Sequence, residues 1–177
     1  MLKPLLLSAA AALALSACAS TQADMQADAA MAAGDMTPTQ RGAYVEMAAA
    51  SDLFEIQTGR MAAERGKSAA VRQFGQMLVQ HHTQTTAQLT AAATAAGTMP
   101  TPDLMPMQKR MVAELRAASS GNFDQVFLRQ QVTAHEMALA LHSNYASSGD
   151  TPALRAVASA AVPVVRGHLE QARGMAM

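Results

Sequence analysis

Five histidines hold most of the reactive chemistry available to this 177-residue chain, and their spacing is selective. His81 and His82 are adjacent, while His135 and His142 are seven apart and share one face of any helix that holds them. His82 lies four residues after Leu78 and seven before Leu89; His168 lies three after Val165 and seven after Ala161. Both therefore point with the apolar residues, whereas His81 falls further to the flank. Among the carboxylates, Glu55 adjoins Phe54 and is the one best placed to point inward, with Asp52 left outside. Imidazoles from three helices and a carboxylate from a fourth are the means by which helix bundles build internal metal sites. Glu55, His82, His135 and His168 make a countable four-ligand set, with His81 and His142 as accessory positions. Such donors suit a transition metal ion: Zn, Fe, Cu or Mn.

Two other readings of the same residues stand beside this one. Inward histidines are commonly held in polar networks, and Ser51 and Thr58 are available as partners. A buried imidazole cluster can also respond to protonation at about pH 6. Methionine adds a copper variant, because thioether with imidazole favours Cu(I), and Met105, Met107 and Met111 are close in sequence while Met175 and Met177 end the chain. Methionine at helical spacing equally fills cores. Glycine-rich phosphate loops, GxSxG, HExxH and CxxC are absent from the sequence, which disfavours hydrolase, nucleotide and dithiol chemistry.

The elements that must position these groups read as helices. Met47, Ser51, Phe54, Thr58 and Met61 alternate spacings of four and three, which predicts a helix between Thr39 and Arg65 with that seam inward. Gly66 ends it. A second helix, from Ser68 to Ala96, has Val71, Phe74, Leu78, His82, Thr85 and Leu89 on its apolar face and stops at Gly97, Pro100 and Pro102. Pro106 to Ser119 predicts a short helix. Asn122 is the expected cap of a long helix from Phe123 to about Ser147 that includes Phe127, Leu141 and Tyr145. Thr151 and Pro152 open the last helix, with Leu154, Val157, Ala161, Val165, His168 and Ala172 buried and a bend expected at Pro163. No sustained period-two pattern or Asn-Gly or Asp-Gly turn suggests a strand. The expected fold is all-α, an antiparallel four-helix bundle with one short additional helix.

Composition agrees: 50% hydrophobic residues, only 3% aromatic, no Trp and 14 Met favour closely packed helices over sheets. Thirteen basic against 13 acidic side chains exclude a polybasic nucleic-acid binder, so no nucleic acid is expected as partner.

The first residues read as an address. MLKPLLLSAAAALALSAC has one charge at Lys3, an apolar run from Pro4 to Ala17 and small residues before Cys18, the pattern of a secretory signal peptide. That run is too short for a spanning helix, which needs roughly 20 residues. Leu15, Ser16, Ala17 and Cys18 resemble the bacterial lipobox, which makes Cys18 the lipidated first residue of the mature protein and the membrane its partner. Ala19, where Asp would retain a lipoprotein at the inner membrane, points to the periplasmic face of the outer membrane by the same resemblance. The expected organisation is a signal peptide at 1–17, a lipidated cysteine and flexible tether at 18–38, and a helical domain at 39–177.

From Tyr44 to about Ala172, the stretches DLFEIQTGRMAAERGKSAAVRQFGQMLVQHH, LTAAATAAGTMP, GNFDQVFLRQQVTAHEMALALHSNYASSGDTPALRAVA and VPVVRGHLEQA resemble the bacterial domain of unknown function family 4142 (DUF4142), exported helical proteins related to ferritin-like bundles. The resemblance implies inward histidines at His82, His135 and His168 with Glu55 as acidic partner. It departs from the family where Asp often precedes the first two histidines, since His81 and Ala134 stand there. It departs from the di-iron pattern too, because Val79 and Val165 occupy the positions where Glu would precede His by three. The family has no established activity. The sequence thus leads with a lipid-anchored envelope protein in a binding, stress-protective or structural role, not an established enzyme. Its alternative is a periplasmic metal-binding or metal-dependent redox protein.

Overall fold

A computed structural model of the protein describes residues 38–177, and the expectations for the signal peptide, Cys18 and the tether lie outside the described residues, Pro38 excepted. Among the described residues there are five α-helices and no strand: α1 (Arg41–Arg65), α2 (Ala69–Ala95), α3 (Pro106–Ala117), α4 (Phe123–Ser148) and α5 (Pro152–Ala176). None of them is long and apolar enough to cross a membrane.

Local chemistry sets the helix ends. Gly66 closes α1, and the Ser68 hydroxyl caps α2 by accepting from the Val71 amide at 3.1 Å. Gly97, at φ 72°, turns the chain after α2 in a conformation that favours glycine. Proline occupies the first turn of α3 and of α5, where no amide is needed. Asn122 precedes α4 as expected but makes no side-chain cap bond: its φ of −108° and ψ of −5° are helical, not the extended backbone that aims a cap at the free amides. Helix α5 continues through Pro163.

Long-range polar contacts then fix the turns. Asp124 accepts from the Lys67 and Ser68 amides at 2.8 and 2.9 Å, tying the α1–α2 turn to the start of α4. Arg65 reaches the Leu115 and Ala118 carbonyls at 3.3 and 2.7 Å and holds the end of α3. At the other end, Asp150 accepts from the Arg41 amide at 3.1 Å and the Tyr145 hydroxyl at 2.8 Å.

Helices α1 and α2 run antiparallel along their length, as do α4 and α5, and each pair packs on the other through α1 against α4 and α2 against α5. The closest approach lies between Gly59 and Gly75. A Cβ on Gly59 would meet the Gly75 carbonyl at 2.8 Å, and one on Gly75 would meet the Gly59 carbonyl at 2.5 Å. Two mid-helix glycines thus remove the atoms that would hold the backbones apart.

Two apolar clusters result. One joins Tyr44, Val45, Leu89, Leu141, Tyr145 and Leu154; the other joins Phe74, Leu78, Leu115, Phe123 and Phe127. The inward face of α1 is rotated from part of the expected seam: Phe54 and Thr58 are buried as expected, but Met47, Ser51 and Met61 are only half-buried, whereas Tyr44, Ala48, Asp52, Glu55, Gly59 and Ala62 are buried. Small residues face α2, which lets the helices close, and the bulkier methionines move to the margin.

Candidate metal centre

Buried among the apolar side chains is a group of polar ones: Asp52, Glu55 and Thr58 from α1, His82 from α2, Gln131, His135 and His142 from α4, and His168 from α5. Burying so many polar groups is unfavourable unless they satisfy one another, and most do. His82 Nδ1 donates to Asp52 Oδ1 at 2.8 Å; the same carboxylate accepts from Thr85 at 2.9 Å and from Thr86 at 3.1 Å. Sequence spacing leaves Asp52 off the inward face of its helix, but it is only 6% exposed and is the anchor of His82. The rotation of α1 accounts for the difference. The four-residue steps from Ala48 to Asp52 in the buried stripe were the signal that would have found it.

A chain of imidazoles continues from α4 to α5 and back to α2. His135 Nδ1 is 2.9 Å from the Gln131 carbonyl, His135 Nε2 is 3.3 Å from His168 Nδ1, and His168 Nε2 is 2.8 Å from His81 Nδ1. A carbonyl can only accept, so His135 has its proton on Nδ1; with neutral rings, His168 then donates through Nδ1 and His81 through Nδ1. His81 is half-buried, on the flank where its spacing puts it, and its ring stacks on His168 at 15°. His142 is buried elsewhere, with Nδ1 3.1 Å from the Tyr44 hydroxyl. None of these histidines pairs with Ser51 or Thr58. Thr58 donates to the Phe54 carbonyl and accepts from Gln131.

Among the described residues, His82, His135 and His168 each offer a ligand atom, and these atoms all lie within 4.8 Å of one another. Glu55 is outside that set: its nearest oxygen is 3.8 Å from His135 Nδ1, the nitrogen already bonded to Gln131. Three buried atoms of this group have no hydrogen-bond partner, His82 Nε2, Glu55 Oε2 and Gln131 Oε1.

Electrostatics divides the group into charged and neutral members. For His82, burial pulls the pKa down, but the Asp52 hydrogen bond and the charges of Glu55 and Asp52 outweigh it, and the net shift is upward. Burial and the nearby His82 charge lower His135 to about 3; burial, with His135, His82 and His81 nearby, lowers His168 to about 3. Burial raises Glu55 to about 7 against the opposing His82 charge and Gln131 hydrogen bond. At neutral pH His135 and His168 are therefore uncharged, with lone pairs available to a cation. His82 joins them by giving up its Nε2 proton to an incoming cation: a carboxylate at Nδ1 and an Nε2 without a hydrogen-bond partner are the orientation that metal-ligating histidines show. These residues fit a transition-metal ion.

Known structures share this fold. A DUF305 fragment from Deinococcus radiodurans superimposes with a TM-score of 0.68 at 19% identity, covering 79% of this chain and 97% of that one. CopM in its Cu(II)-bound form gives a TM-score of 0.65 at 17% identity over 77% of this chain and 96% of that one. Its Cu(I)-bound form gives 0.65 at 17% identity over 76% and 94%. No curated protein sequence matches the chain. The sequence pattern of the domain of unknown function DUF4142 matches residues 21–175, most of the chain, and the protein belongs to the DUF4142 family.

Proposed function

We propose that the domain binds a transition-metal ion of the copper class at His82, His135 and His168. One observation carries the reading: three buried imidazoles from three helices hold ligand atoms within 4.8 Å of one another. Its support is that Asp52 and the Gln131 carbonyl already orient two of them, leaving each Nε2 toward the centre. Asp52 supplies a nearby negative charge that makes a buried cation tolerable. CopM, which shares the fold, is known with Cu(I), Cu(II) and Ag bound, and imidazole donors suit copper. Glu55, outside the three nitrogens, acts as a neighbouring carboxylate and not as the fourth ligand. The arrangement that goes with this reading is an antiparallel four-helix bundle, ferritin-like, with α3 as the short additional helix.

Anaerobic titration of the chain with Cu(I), and with Cu(II) and Zn(II) in parallel, against a coloured chelator tests it. One tightly held ion per chain, lost in His82→Ala, His135→Ala and His168→Ala, is the expected result. No binding, or binding indifferent to all three, sinks the metal reading and leaves the polar network as structural.

We further infer from Leu15 to Cys18 that the protein is exported and lipid-anchored at Cys18, on the periplasmic face of the outer membrane. Mass spectrometry of the mature bacterial protein tests this; an unmodified Cys18 refutes it.

A further inference from the structure

The buried site needs a way in. His82, His135 and His168 are 4%, 1% and 3% exposed, and of the three only His82 borders a cavity, so a hydrated cation does not reach the centre between them directly. A cavity of about 260 Å³ opens beside them, with Tyr44, Asp52, His81, His82, Thr85 and Val165 in its lining. His135 and His168 do not line it. His81 does, and it is also bonded to His168 Nε2 at 2.8 Å. It thus touches both the cavity and the buried centre.

His168 presents one nitrogen to each side: Nε2 to His81, and Nδ1 to His135 at 3.3 Å. Two nitrogens 2.8 Å apart can both reach one cation with bonds of about 2.0–2.1 Å at roughly a right angle. A cation losing its water shell on the way into an apolar interior needs a replacement donor at each step, since bare charge in such a medium is strongly disfavoured.

Resting on the metal reading above, we propose that His81 Nδ1 and His168 Nε2 form an entry station. The incoming cation binds there first, and His168 then passes it to the buried centre through its other nitrogen. His81 sets the rates of loading and release, while affinity belongs to the three buried rings. To bind, His81 exchanges the proton on Nδ1 for one on Nε2, given by water in the cavity. His168 makes the same exchange as the ion moves inward, its Nδ1 proton leaving on a water shed by the ion and its Nε2 taking one up from the His81 side.

The test compares the full chain with His81→Phe, which keeps a ring on His168 but offers no donor, and His81→Met, which offers a thioether. Stopped-flow transfer of Cu(I) from a coloured chelator complex reads loading, and excess chelator reads release. His81→Phe is expected to slow both by about tenfold or more and to leave equilibrium affinity within about threefold. His81→Met is expected to restore the rates. Unchanged rates in His81→Phe overturn the proposal, as does a loss of affinity as large as that of His168→Ala, which would make His81 a ligand of the buried centre. If circular dichroism finds His81→Phe misfolded, His81→Gln at this half-exposed position takes its place. A wild-type chain that binds no metal in the equilibrium titration fails the metal reading itself, before any rate is compared.

Discussion

Asp52→Asn separates the charge of the buried carboxylate from its shape. Asp52 accepts three side-chain hydrogen bonds, from His82 at 2.8 Å, Thr85 at 2.9 Å and Thr86 at 3.1 Å. Asparagine keeps Oδ1 for His82 and Thr85, and its amide can donate to a Thr86 hydroxyl that turns to accept. The charge is what disappears, and with it the charge-assisted bond and the negative potential that raise the His82 pKa and favour a cation at its Nε2. Replacing a carboxylate behind a ligating histidine costs about 10–100-fold in metal affinity, or about 1.4–2.8 kcal/mol. Asp52→Ala removes all three bonds as well; in the metal-free protein it is expected to lose about 3–5 kcal/mol, the cost of breaking a buried pair, against about 1–2 for Asn. Chelator competition measures affinity, and urea denaturation of the metal-free chains measures stability. Affinity of Asp52→Asn within about threefold of wild type, with the metal still bound, would refute the claim that the charge of this carboxylate supports the ligand.

Three further perturbations follow from the geometry. Gly75→Ala places a Cβ 2.5 Å from the Gly59 carbonyl and forces α1 and α2 apart; a loss of about 1–3 kcal/mol is expected by urea denaturation, with metal affinity falling too, and an unchanged midpoint contradicts the close-approach argument. His142, lowered to about 4 mainly by burial, with Tyr44 and Asp52 of α1 and His82 of α2 nearby, stays neutral in the folded protein while the unfolded chain takes up a proton below about pH 6.5. Its contribution of about 3 kcal/mol is complete above pH 6.5 and lost as pH falls toward 4, so His142→Leu should flatten the acid side of the metal-free stability curve. Glu55 has the opposite sign: raised to about 7 from 4.5, it stabilises fully below pH 4.5 and less as pH rises through 7. Metal-free Glu55→Gln is accordingly expected to be more stable than wild type at about pH 8, by up to about 3 kcal/mol; equal or lower stability there argues against a carboxyl kept neutral by burial.

Helix number, order and most boundaries were legible because their causes are local. Ser68, Gly66, Gly97, Pro106 and Pro152 act within a turn of their own position, and the 3.6-residue period of Val71, Phe74, Leu78 and His82 marks a face without knowledge of its partner. The same period put His82, His135 and His168 inward. The α1 face agrees with its spacing at Phe54, Glu55 and Thr58 and departs from it at Met47 and Met61, the conspicuous apolar groups of its sequence, because packing is decided by where α2 can come closest. That is set by Gly59 and Gly75, which have no side chain to register as apolar. Mid-helix glycines contrary to propensity were the available hint.

What the sequence by itself determined is therefore the set of helices and which of their side chains turn inward, since both follow from spacing along one chain. Only the tertiary structure decided the level at which those side chains meet. A slip of one helical turn moves a ligand by over 5 Å, more than the 4.8 Å that separates the three imidazole donors. The pairing of Asp52 with His82, the displacement of Glu55 to the far nitrogen of His135 and the contact of His81 with His168 all depend on that register. Contacts between distant helices fix it: the glycine approach, the Asp124 and Asp150 ties at the turns, and the apolar clusters. Spacing within a single helix holds no information about it.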